Sequence, residues 1–222
     1  MHIEKNKKIF FYFFLFLIFT TVNNKYLNDS KFLKLDQINV YGLKKNENLK
    51  ISKELEIIKF ENLFFLDKNL INKILESYNI IENYFVIKRY PSTVNITLYQ
   101  TNLVAVTTKD NKIFYVGTNG KLINQIEKVK NLPYIFGDFE INKFLKFKKI
   151  IDRSNFDYLE IENFFFFKSG RWDIETKKGV LIKLPIDNSV KTLNFIYKIL
   201  RDENFENIQQ IDARQKLQIV TK

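Results

Sequence analysis

LDQINVYGL (residues 35–43), FFLDKNLINKILESYN (64–79), YFVIKR (84–89) and TVNITLYQ (93–100) decide how the first part of this chain folds. In the opening piece Ile38 and Val40 share one face by period two and Gly42 supplies a turn, which predicts a short strand. Residues 46–58 then carry Leu49, Leu55 and Ile58 at roughly helical spacing. A clearer helix comes next, with Asp67 as its N-cap and Leu70, Ile71, Ile74 and Leu75 on one stripe. Residues 84–89 and 93–100 predict two more strands, the second with Val94, Ile96 and Leu98 alternating with polar residues. Pro91 has no N–H to give a ladder and marks the connection between them. Strand, helix, helix, strand, strand fits one small domain over residues 35–102.

Working toward the C-terminus, Asp110-Asn111 and Asn119-Gly120 are turn dipeptides between apolar runs, so residues 103–124 read as a meander of short strands. Residues 140–151 place Ile141, Phe144, Leu145, Phe147, Ile150 and Ile151 on the apolar side of a helix. Residues 158–166, 171–175 and 180–184 alternate like strands, 189–200 is again helical, and 208–213 and 216–221 read as closing strands. This second domain, residues 103–222, is expected to be α+β with much antiparallel sheet.

Working toward the N-terminus, residues 9–22 read IFFYFFLFLIFTTV, an uncharged run behind Lys5, Lys7 and Lys8. As a helix it reaches only about 21 Å, against roughly 30 Å of hydrocarbon. No small-residue cleavage site follows Thr20, Thr21 and Val22, and the run continues through Asn23, Asn24, Tyr26 and Leu27 with Lys25 placed to snorkel. The expectation is a retained transmembrane helix over residues 9–27 after a short cytoplasmic tail, residues 1–8. The lysine cluster before the helix places the N-terminus in the cytoplasm, although Lys25, Lys31 and Lys34 come after it.

The chain has 222 residues, a formal charge of +11 and 45% hydrophobic residues, enough to bury real cores. Its lysines are scattered through every segment instead of gathering on one motif, so no nucleic-acid partner is expected. There is no cysteine, and the single histidine is His2. Thiolate catalysis, thiolate zinc sites and a Ser-His-Asp triad in the folded region are excluded. GxxxxGK[ST], GxGxxG and HExxH are all absent, so no cofactor, no metal and no small-molecule substrate are expected.

Three places invite a chemical reading. Trp172, in Gly170-Arg171-Trp172-Asp173-Ile174, is a stacking platform or, more commonly at the start of a strand, core. Asp212-Ala213-Arg214 is an acid beside a cation or, more commonly at a strand end, an ion pair or turn anchor. Glu160 and Glu162 share a strand face by period two and read as a solvated face ahead of an acid/base pair.

The element order, with Ile38-x-Val40-x-Gly42, Phe65-Leu66 and Val86-x-x-Arg89-x-Pro91, resembles a POTRA domain. The stretch from residue 103 onward is similar to the FtsQ/DivIB family of bacterial cell-division proteins: Leu103-Val104-Ala105-Val106, Phe114-Tyr115-Val116, Thr118-Asn119-Gly120, then Leu132-Pro133 and Gly137. The resemblance implies a transmembrane helix, a β-α-α-β-β POTRA domain and an antiparallel β domain with helices. It implies a non-catalytic scaffold of the division septum in the inner membrane, its C-terminal part periplasmic. It further implies that the second domain binds FtsB, and through it FtsL, by adding a partner strand to the C-terminal sheet edge. The matching contact residues are Arg214, Gln215, Lys216, Leu217, Gln218 and Ile219, with Arg153 as a further basic contact for an acidic partner. Relatives often carry an aromatic after the Asp-x-Arg; Gln215 stands there in this chain, which shifts affinity toward backbone pairing. FtsK-like proteins are the partners implied for the POTRA domain.

Two other classes compete. A periplasmic POTRA chaperone or transporter arm would need many amphipathic barrel strands beyond the domain, and the remaining residues carry helices instead. A secreted enzyme with a cleaved leader would need a convergent polar site, which the sequence does not display.

Overall fold

The computed structural model describes residues 3–21, 33–124, 129–187, 189–203, 208–215 and 220–221. Helix α1 is Ile3–Thr21, so the helical backbone begins before the apolar run and takes in Lys5, Lys7 and Lys8. Among the described residues no helix is long and apolar enough to cross a membrane. Residues 22–27 of the expected span lie outside the described residues. The chain forms two compact units, Met1–Leu75 with Phe85–Thr97, and Glu76–Tyr84 with Leu98–Lys222.

In the first unit β1 (Gln37–Tyr41) leads to α2 (Lys45–Glu54), a 3-10 turn (Leu55–Ile58) and α3 (Lys68–Glu76). β2 (Ile81–Arg89) and β3 (Thr93–Gln100) come after them, the start of β2 through Tyr84 and the end of β3 from Leu98 being counted with the second unit. The sheet order is β1-β3-β2, with β1 parallel to β3 and Ile38 opposite Val94. Parallel neighbours need a crossover, which the two helices supply. Asp67 accepts the Asn69 N–H at 2.8 Å, as a cap should, and Ile71 and Leu75 on the same helix are buried. One expectation is corrected: Leu49 is 51% exposed, and Ile51, four residues before Leu55, takes the inward place. Ile51, Leu55 and Ile58 follow the 4,3 spacing of one helix face more closely than Leu49 does.

The second unit contains β4 (Leu103–Lys109), β5 (Lys112–Gly117), β6 (Leu122–Ile123), β7 (Tyr134–Phe136), α4 (Ile141–Asp152), β8 (Ile161–Phe166) and β9 (Trp172–Thr176). β10 (Leu181–Lys183), α5 (Val190–Leu200), β11 (Gln210–Asp212) and β12 (Val220–Thr221) complete it. They build one nine-stranded sheet in the order β12-β11-β10-β9-β8-β7-β4-β5-β6. Asp110 and Asn111 both have positive φ, the backbone a two-residue β4–β5 hairpin demands.

A single row of residues crosses six of these strands: Thr107, Ile135, Phe164, Ile174, Ile182 and Ile211 stand opposite one another in register. All are buried, and Thr107 turns its hydroxyl to the Ile135 carbonyl at 3.1 Å. Phe144, Phe147 and Ile151 from α4, Leu193 and Ile196 from α5, and Trp172 share the same core. Helical period on one side and strand period on the other therefore build one apolar layer. Ser189 caps α5 by accepting the Thr192 N–H, which fixes where the helix begins beside the sheet. Between β4 and β5 the register shifts at Leu103/Ala105, and the Tyr158 hydroxyl donates to the Val104 carbonyl at that irregularity, at 2.6 Å. Burial, and behind it the Asp152 charge, push the Tyr158 phenol well above its ordinary pKa, so it stays a proton donor there.

Candidate functional site

The nine-stranded sheet ends on β12 at its C-terminal side and on β6 at the other, each paired with one neighbour among the described residues. β12 pairs antiparallel with β11, Thr221 opposite Ile211 and Val220 opposite Asp212. It ends the strand order, so among the described residues no strand covers its other side. Val220 is exposed. Alternation along an antiparallel pair leaves half of such an edge strand's N–H and C=O groups pointing away from the sheet.

β11 owes its place to the buried Ile211, the last residue of the inward row. The neighbouring register row is charged, with Asp173 opposite Lys183 and Lys183 opposite Asp212. Arg171 closes its end, with Nε 3.0 Å from Asp173 Oδ1 and Nη2 3.2 Å from Oδ2. The Leu184 N–H also donates to Oδ1 of Asp173, a residue only 2% exposed. Buried charge is tolerated only when its lone pairs are used, and here they are.

Asp212 grips Arg214 as a fork: Nε lies 2.8 Å from Oδ1, Nη2 2.5 Å from Oδ2, and the Arg214 N–H donates to Oδ1 at 3.1 Å. The Arg214 side-chain hydrogen bond, chiefly, holds the Asp212 carboxyl below its usual range. Partial burial opposes this, while the Arg214 N–H and the charges of Arg214 and Lys183 assist. A depressed carboxylate stabilises the fold above its ordinary pKa of 3.8, and that contribution disappears as pH falls through the lower folded-state value. The clamp is thus complete at neutral and mildly acidic pH. Carbon-detected NMR titration of the Asp212 carboxyl is expected to give a midpoint below 3.8, rising in Arg214→Ala. An unchanged midpoint in the variant would show that the fork does not set it.

Of the contact residues expected from the sequence, Arg214 and Gln215 are exposed and come directly after β11. Lys216, Leu217, Gln218 and Ile219 lie outside the described residues. Arg153 stands exposed at the C-cap of α4. Among the described residues no hydrogen bond or ion pair links it to β11 or β12.

The remaining candidates resolve as packing and pairing. Trp172 is 4% exposed, stacked on Phe147 with centroids 5.5 Å apart and edge-on to Phe139 and Phe164. Glu160 and Glu162 do not share a strand face. Asp157 accepts the Leu159 N–H and starts a 3-10 turn (Tyr158–Glu160), so the strand begins only at Ile161. Glu160 instead pairs with Arg201 at 2.9 Å. No group of three His, Cys, Asp or Glu side chains suited to a metal is found among the described residues. Asp173, Lys183 and Arg171 were not anticipated at this edge. Arg171 and Asp173 pair locally, two residues apart, but only cross-strand register brings Lys183 between Asp173 and Asp212, and the β10–β11 pairing is parallel across a helical connection.

A three-stranded unit with two helices, followed in the chain by a nine-stranded sheet ending on β12, is the architecture of a POTRA-bearing protein. Residues 33–99 match the family described as the POTRA domain, FtsQ-type, and residues 105–214 match the C-terminal domain of cell division protein FtsQ/DivIB. The cell division protein FtsQ of Rickettsia bellii (strain RML369-C) is 25% identical over 195 residues, covering 82% of this chain and 70% of the relative. That of Rickettsia typhi (strain ATCC VR-144 / Wilmington) is 24% identical over 190 residues with the same coverage. The chain belongs to the FtsQ/DivIB family of cell-division proteins.

Proposed function

We propose that this chain is a non-catalytic divisome scaffold that captures an FtsB-like partner, and through it FtsL, by strand addition to β12. The observation that carries the reading is the strand order, in which β12 stands at the end of the sheet. A partner strand laid along it gains main-chain hydrogen bonds, and side chains on either side set its register. In this reading the contact residues are Arg214, Gln215, Lys216, Leu217, Gln218 and Ile219, and the Asp212 fork holds Arg214 in one orientation after β11. Arg153 contributes positive charge toward an acidic partner. In this reading residues 1–8 are cytoplasmic, 9–27 anchor the chain once in the inner membrane, and residues 35–102 and 103–222 are periplasmic domains at the septum. FtsK-like proteins are the partners of the first of these domains.

Proline substitution tests the mechanism. Val220 and Thr221 are consecutive, so one directs its N–H toward β11 and the other toward the open side. Replacing the outward donor by proline is expected to weaken capture of an FtsB-like peptide by the full-length chain at least about tenfold, with the thermal midpoint unchanged. Replacing the inward one lowers both. Gln218→Pro is expected to abolish capture. Undiminished peptide binding by all three variants in fluorescence anisotropy would eliminate strand addition at this edge.

A further inference from the structure

The turn between α2 and α3 exposes four large apolar side chains within nine positions: Ile57 is 69%, Phe60 70%, Phe64 64% and Phe65 71% exposed. An interior-facing alternative was open to none of them, because Leu55, Ile58, Leu63 and Leu66 between and around them already fill the core. Phe60 adopts φ +69, a left-handed conformation that is costly for a bulky side chain and here recovers no burial. It is held there by its N–H, which donates to the Leu35 carbonyl at 2.8 Å. Phe64 and Phe65 pack edge to face, 5.2 Å between centroids.

The place of this turn in the chain says what covers it. The Leu63 N–H donates to the Leu33 carbonyl at 2.7 Å, Leu35 N–H to the Glu61 carbonyl at 2.9 Å, and Lys34 bridges Asn62. The aromatic turn is therefore bonded to the point where the chain arrives from α1. Residues 22–32 span at most about 40 Å when fully extended, so the turn stays within that distance of the end of the apolar helix. Cations surround it: Lys34, Lys59, Lys68 and Lys88, the last with its ammonium on the Phe64 carbonyl at 3.3 Å. Against them stand Glu56, which pairs with Lys59, together with Glu61 and Asp67. Exposed phenylalanines rimmed by lysine are the chemistry of a bilayer interface, where rings enter the headgroup boundary and amines meet anionic lipid.

We propose that the Ile57, Phe60, Phe64 and Phe65 turn is a lipid-contacting surface that seats the first unit on an anionic bilayer. This rests on the reading of residues 9–27 as a retained anchor. The test uses the full-length chain reconstituted into vesicles of equal phosphatidylcholine and phosphatidylglycerol, with or without bromine in the acyl chains. Flotation after a carbonate wash reports the anchor by itself. Trp172 is the only tryptophan and is buried, so the F65W variant adds one indole at the turn. Brominated lipid is expected to quench that added emission at least about twofold, and the F60S/F64S/F65W variant less than half as much. If the chain floats and the F65W indole is unquenched, the lipid surface is refuted and the anchor stands. If the chain does not float, the anchor fails and the proposal falls with it.

Discussion

Phe164→Ala is expected to lower the stability of the second unit by about 3–5 kcal/mol, the usual cost of emptying a phenylalanine site in a packed core. Phe164 is fully buried at the middle of the inward row, between Ile135 on β7 and Ile174 on β9. Its ring meets Phe144 at 5.3 Å, Phe147 at 6.0 Å and Tyr158 at 6.0 Å, so the cavity opens against helix and sheet alike. Aromatic edges cannot close such a gap without giving up their own pairing geometry. Trp172, 6.3 Å from the same ring, is a built-in reporter for denaturant unfolding of the full-length chain. A loss under about 1 kcal/mol would mean that the row collapses around the missing ring, and the single-core description of this unit would be wrong.

That row also explains what the sequence could and could not disclose. Residues 93–100 alternate strictly, and β3 runs over those same positions because one of its faces is buried and the other is not. Ser189 and Asp67 were legible as helix starts because a cap is a local bond between a side chain and a backbone N–H two or three positions on. β7 was not legible. Tyr134–Phe136 is three residues long and pairs in parallel with β4 on one side and β8 on the other, so its existence depends on strands remote in the chain. Glu160 misled for a related reason: period two continues on paper through a segment that the Asp157 cap winds into a turn. Leu49 and Ile51 lie on opposite sides of one helix, and the 4,3 spacing to Leu55 and Ile58 turns Ile51 inward.

The candidate edge divides in the same way. Asp212 and Arg214 could be paired from spacing, since a carboxylate two residues before an arginine closes a local ring. Their neighbours Lys183 and Asp173 belong to other strands, and nothing local in the sequence announces that Asp173 is nearly inaccessible. The row Asp173, Lys183, Asp212 ends on the exposed Val220.

Gly137→Ala is expected to be at least as damaging as the loss of a core ring in proportion to the atoms changed, costing about 3 kcal/mol or more. Two effects add. Gly137 has φ +102, where any side chain costs about 1–2 kcal/mol. A Cβ there would also run into the Phe166 carbonyl oxygen and lie 3.2 Å from the Phe166 carbonyl carbon, and backbone cannot swing aside as a side-chain tip can. Gly170 separates the two effects, because its φ is +84 while nothing lies within 4 Å of its would-be Cβ. Gly170→Ala should therefore cost only the conformational share, about 1–2 kcal/mol. The difference between the variants measures the clash, and it falls where β7 leaves the sheet beside the end of β8. Relief of that clash requires β7 to retreat from β8, which breaks the continuity of the inward row on which β11, and with it the open edge at β12, ultimately rests. Equal unfolding free energies for the two variants would place the whole cost in the backbone and remove the argument for close β7–β8 approach.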